Sequence, residues 1–122
     1  MKLINRSIIA VIFLLAFATP LLAQNPNVAM RVDAKKNCVR VNLKNLRPTT
    51  IGFSYIELWI YDAKSCKRIC VTRKVINQKI KSCDTLDLEL CCDHLPDASS
   101  YIYYVRAHHS LGVNEEWAFA PQ

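Results

Sequence analysis

The sequence predicts an all-β fold, a seven-stranded antiparallel sandwich stapled by disulfides. Three observations carry this reading. Apolar and polar residues alternate at period two in several short runs. Short turn-forming stretches separate those runs, and no convincing helical pattern interrupts them. Six cysteines lie downstream of a leader of the exported kind.

The leader comes first. Lys2 and Arg6 give a positive start, Ile8 to Ala18 is an uncharged apolar run, and Leu21-Leu22-Ala23 offers a small-residue cleavage site. The run is short for a membrane span, which needs about 20 residues, and Pro20 interrupts its end. Residues 1–23 are therefore read as a signal peptide and 24–122 as one small domain. The expected product is secreted, extracellular and without stable membrane insertion. Of the 16 Lys and Arg, 14 remain after cleavage against 10 Asp and Glu, a mild basic excess.

The strands follow in order. Val28 to Asp33 reads as a short first strand. Cys38 to Lys44 alternates cleanly, with Val39, Val41 and Leu43 on one face and Cys38, Arg40, Asn42 and Lys44 on the other. Leu46 to Gly52 is turn material punctuated by Pro48 and Gly52. Phe53 to Tyr61 is rich in aromatic and β-branched residues. Its aliphatic face, Ile56, Leu58 and Ile60, is expected inside, with Tyr55, Glu57, Trp59 and Tyr61 outside. Ile69 to Ile76 reads as a fourth strand, followed by a basic connection over Asn77 to Cys83. Thr85 to Cys92 alternates again, with Leu86, Leu88, Leu90 and Cys92 inward. Tyr101 to Ala107 follows, then a turn at Ser110-Leu111-Gly112 and a last strand near Glu115 to Ala120.

The most specific stretch is Leu95 to Ala107. A Leu precedes a turn, and Tyr101, Tyr103, Val105 and Ala107 then share one face. This junction resembles that between the fifth and sixth strands of the fibronectin type III superfamily, an immunoglobulin-like sandwich. The resemblance implies a tyrosine corner, with the Tyr101 hydroxyl bonded back to nearby backbone. Val105-Arg106-Ala107 and Asn114 to Ala118 are also similar to parts of cytokine-receptor-type modules. That similarity implies a cation–π contact of Arg106 over Trp117, worth about 0.5–2 kcal/mol. The Trp expected on the second strand, the second Trp of the class I receptor motif and its flanking serines are absent.

Cys38, Cys66, Cys70, Cys83, Cys91 and Cys92 are expected to form three disulfides, with fifteen possible pairings. In the implied fold the second and fifth strands are neighbours, so Cys38 and Cys91 are expected to bridge on their solvent faces. Cys92 is expected inward. Cys66, Cys70 and Cys83 cluster around the fourth strand and could supply a second bridge among themselves. Zinc is disfavoured, because Cys66-x3-Cys70 is loose and no second clear pair accompanies it.

Three surfaces are candidates for function. Trp59, Tyr61, Tyr104, Arg106 and Trp117 are of the types that dominate protein-binding hot spots, although cross-strand stacking would equally explain them. His108 to Gly112 is a candidate loop, with its two histidines read as solvated turn residues or as a pH or metal site. Lys64, Lys67, Arg68, Arg73, Lys74, Lys79 and Lys81 form a stretch without an acid. It could bind a heparin-like polyanion, or pair with the acidic stretch that follows.

No nucleophile elbow, zinc-protease helix or phosphate-binding loop is present, and only two glycines occur. No enzyme activity, cofactor or metal is expected, nor a nucleic-acid partner for an exported chain. The expected function is non-catalytic binding of an extracellular protein, as a soluble receptor-like or decoy domain. The alternative is a small cationic effector acting on polyanions or membrane surfaces.

Overall fold

The computed structural model describes residues 25–96 and 100–119. The leader at 1–23, residues 97–99 and the expected strand end at Ala120 lie outside them. Seven antiparallel strands form two sheets: β1 (Val28–Ala34), β2 (Cys38–Asn45), β3 (Ile51–Asp62), β4 (Arg68–Ile80), β5 (Thr85–Cys91), β6 (Tyr101–His109) and β7 (Gly112–Phe119). One sheet has the order β1-β2-β5 and the other β4-β3-β6-β7.

Period-two alternation builds the core between the layers. Val39, Val41 and Leu43 of β2 face Ile56, Leu58 and Ile60 of β3 and Tyr103, Val105 and Ala107 of β6, all buried. Each such aliphatic side chain contributes about 1.5–3 kcal/mol by leaving water. Tyr101, Tyr103, Val105 and Ala107 turn inward together, as their spacing requires. The Tyr101 hydroxyl donates to the Pro96 carbonyl, tying the start of β6 to the chain that leads into it.

One strand is longer than its sequence pattern suggests. The expected basic connection over 77–83 is mostly strand, because β4 continues to Ile80 and pairs with β3 up to Ile51. A β-bulge between Phe53 and Tyr55, opposite Asn77 with its positive φ of 47°, resets the phase of β3, so that Ile51 and Phe53 are buried on one side of it and Ile56, Leu58 and Ile60 on the other. Ile76 and Ile80 share the inward phase of β4 and are buried, although the polar Gln78 between them interrupts the apolar run.

Two buried polar groups organise the ends. The Asn45 side chain donates to the Thr49 and Ile80 carbonyls at 2.8 Å and accepts from the Arg47 N–H at 2.7 Å. It ties the β2–β3 turn to the end of β4. Asn114 of β7 donates to the Val28 carbonyl at 3.0 Å, joining the two sheets where β1 runs beside β7.

Two disulfides form where three were expected, and one of them, Cys38–Cys91, is an expected pairing. Cys38–Cys91 bridges neighbouring strands β2 and β5, and Cys70–Cys92 crosses between the layers. The inward phase of Cys92 takes it to Cys70 rather than leaving Cys70 to a nearer cysteine. Cys66 and Cys83 are free and exposed, so the expected bridge within the Cys66, Cys70 and Cys83 cluster is absent. They sit in the turns before and after β4, whose 13 residues span about 40 Å, too far for a mutual bond.

Candidate functional site

Strand register assembles the outward residues of the four-stranded sheet into rows. Val71, Trp59, Tyr104 and Trp117 lie opposite one another across β4, β3, β6 and β7. The next row is Arg73, Glu57, Arg106 and Glu115, alternating in charge. Beyond it come Val75, Tyr55, His108 and Val113, and on the other flank Arg68, Tyr61, Ile102 and Phe119. An aromatic row thus runs beside a charge row over the whole width of the sheet.

The rings pack on one another. Tyr104 and Trp117 lie 4.5 Å apart between centroids, Trp59 meets Tyr104 edge-on at 6.3 Å, and Tyr61 lies 6.0 Å from Trp117. Arg68 places its guanidinium carbon 4.8 Å from the Trp59 ring, and Arg73 lies 3.7 Å from Tyr55. Tyr55 in turn stacks on His108, whose Nε2 is 3.1 Å from Glu57. The Tyr104 hydroxyl donates to Glu115 at 2.5 Å. Burial and that bond push its ionisation far above the usual tyrosine range, so it stays a neutral donor.

Packing leaves part of this face uncovered. Trp117 remains 51 % exposed and Phe119 45 %, with Val71 and Val75 also open to solvent. Trp59 Nε1 and Arg106 Nε are buried without a hydrogen-bond partner. The ring stacking expected as the competing explanation is present, and it supports an exposed apolar strip rather than replacing it.

The sequence-predicted residues Trp59, Tyr61, Tyr104 and Trp117 come together. Arg106 shares their face but stands opposite Glu115, one row from Trp117. The cations found over rings are Arg68 and Arg73, which the sequence had placed only in the basic stretch. Tyr55 and Glu57 were legible in the outward phase of β3, whereas the sequence placed His108 in the His108 to Gly112 loop and Phe119 only in the last strand, with no face assigned.

The basic residues do not form one patch. Lys64 and Lys67 lie in the β3–β4 turn, Arg68 and Arg73 turn to the outer face, and Lys79 near the end of β4 and Lys81 just past it lie about 40 Å away. Lys74 points the other way, its Nζ 3.5 Å from the Glu89 carbonyl of β5. His108 and His109 belong to β6, not to the turn. His109 is buried, donates from Nε2 to Asn114 Oδ1 at 2.8 Å and accepts at Nδ1 from the Leu111 N–H at 3.2 Å. Among the described residues, Cys38, Glu89 and Cys91 group their potential ligand atoms, but the two sulfurs are bonded to each other.

No family model and no curated protein matches the chain. Among solved structures it is similar to superoxide reductase (neelaredoxin) from Ignicoccus hospitalis and to a single-site variant of it. Each is 12 % identical, with a TM-score of 0.45 over 80 % of this chain and 81 % of that one. These matches are named as reductases, and they overturn the expected membership of the fibronectin type III superfamily. The receptor-like or decoy reading, its cationic-effector alternative and the expectation of no enzyme fall with it. The physical reason is that an inward Tyr run and a hydroxyl-to-backbone tie serve any antiparallel sandwich, and a fold does not fix a function. At this identity and score the likeness assigns no chemistry to any residue here.

Proposed function

We propose that Trp59, Tyr61, Tyr104, Arg106 and Trp117 form a contact surface for a partner protein, in an oxidising compartment outside the cell. The observation that carries this is the packed row Trp59–Tyr104–Trp117, half-buried at Trp59 and Tyr104 and open to solvent at Trp117, beside the alternating charge row. Apolar rings offer area to bury, and Arg and Glu beside them set orientation. Prepacked rings lose little freedom on docking, which favours affinity. Two disulfides suit an oxidising setting.

A photo-crosslinking residue in place of Phe119 should capture a partner from the native extracellular fluid. The same residue in place of Arg40, on the far sheet, should not. The purified partner should then bind Trp117→Ala at least about tenfold more weakly than wild type. Equal capture at both positions, or unchanged affinity of Trp117→Ala, rejects the proposal.

A further inference from the structure

We infer that the chain pairs with a second copy of itself through the edge strands β4 and β5. Each of these strands ends its own sheet, β4 pairing only with β3 and β5 only with β2. Both lie along the same side of the sandwich, one in each layer, where Lys74 reaches Glu89 and Cys70 is bonded to Cys92. Neither strand contains a proline. An edge with unpaired backbone groups is a template for another strand, and the cations of β4, which discourage pairing with a like edge, favour an acidic one.

The two edges are complementary. From 64 to 81 the chain carries seven cations and no acid, whereas β5 and its flanks hold Asp84, Asp87, Glu89 and Asp93. The β5 backbone is turned outward for pairing. Cys38 and Cys91 lie only 4.0 Å apart between Cα atoms, the narrow spacing of a pair that exchanges no backbone bonds. The backbone groups of Cys91, and by period two those of Glu89 and Asp87, therefore face away from β2. The Lys74 bond to the Glu89 carbonyl agrees with this.

Symmetry completes the fit. A short turn joins β4 to β5, so the two run in opposite directions. A two-fold axis parallel to the strands therefore sets β4 of one copy antiparallel to β5 of the other, in the same layer, and does so twice. The three-stranded sheet of one copy then continues the four-stranded sheet of the next. The interface is isologous and closes at two, so it does not propagate into a fibre. Basic strand meets acidic strand on both sides of the axis, as favourable cross-strand pairing requires. The axis also brings the two turns bearing Cys83 to the same level. The aromatic face remains open in this dimer.

Charge reversal tests the pairing. In sedimentation equilibrium the oxidised protein should pass from monomer to dimer as concentration rises. Arg73→Glu with Lys79→Glu, on the outer face of β4, and separately Asp87→Lys with Glu89→Lys, on the outer face of β5, should each weaken self-association by about tenfold or more, because like charges then oppose on both sides. Mixing the two variants should restore a heterodimer, which also shows that both are folded. On a Cys66→Ser background a flexible bismaleimide should join Cys83 of one copy to Cys83 of the other. A protein that stays monomeric up to about 1 mM, a dimer indifferent to both reversals, failure of the mixture, or a dimer without the Cys83 crosslink overturns the inference.

Discussion

The Tyr103 hydroxyl donates a 2.7 Å hydrogen bond to the Lys36 carbonyl, 67 residues earlier in the chain. It spans the core from β6 to the β1–β2 turn, with the ring fully buried between the layers. Tyr103→Phe keeps the ring and removes this hydrogen bond, so it should cost about 1–2 kcal/mol in urea unfolding. Burial, with a smaller contribution from Tyr101, pushes the Tyr103 ionisation up from 10.0 to about 12. Its native state thus holds a proton that the unfolded chain releases. The corresponding stability is complete below 10.0 and lost as pH rises towards about 12. The fall in unfolding free energy over that interval should be smaller in Tyr103→Phe.

His109 gives the opposite dependence. Burial lowers its proton affinity below the ordinary value of 6.5, and the Asn114 bond offsets this only in part. Protonating Nδ1 would also break its bond from the Leu111 N–H. The native state excludes a proton that the unfolded chain accepts. The His109 contribution is therefore present above 6.5 and lost as pH falls through the lowered value. Denaturation midpoints should drop on acidification, and His109→Gln should show a shallower drop across the same range.

The two disulfides should differ in lability. Cys91 is exposed beside a half-buried Cys38, whereas Cys92 is buried against the core. Limited reduction followed by alkylation should label Cys38 and Cys91 first. Removing Cys70–Cys92, which closes 22 residues of chain, should cost about 3 kcal/mol.

Cys66 and Cys83 should both react with a thiol reagent in the folded, oxidised protein without denaturant, because both are exposed. Peptide mapping that finds either one in an intramolecular disulfide would contradict the arrangement.

Arg68 and Trp59 should be coupled. A double-mutant cycle with Arg68→Ala and Trp59→Phe should give about 0.5–1 kcal/mol, the value for a partly exposed cation over a ring. Trp117→Ala should change stability less than Trp59→Ala, since half of Trp117 already faces solvent.

The sequence was informative wherever one period held across a whole strand. Val39 to Leu43 and Tyr101 to Ala107 announced their buried faces; phase placed Cys38 and Cys91 on solvent faces, and only the family resemblance made their strands neighbours. It misled where Asn77, Gln78 and Lys79 hid the continuing strand, so β4 seemed to stop at Ile76, and where a bulge flips the phase of β3 and buries Phe53. Cys70–Cys92 was hidden because it depends on which edges of the two layers stand side by side. The outward ring set was visible strand by strand. Its pairing was not, because one row of register separates Arg106 from Trp117 and only the assembled sheet sets that row.

The consecutive half-cystines at 91 and 92 reach back to different partners, at 38 and 70. A protease that nicks the backbone once anywhere between positions 38 and 91 therefore liberates no fragment. The severed pieces travel together on a gel until a reductant separates them, so cleavage of this molecule in a thiol-poor fluid would leave its apparent mass unchanged.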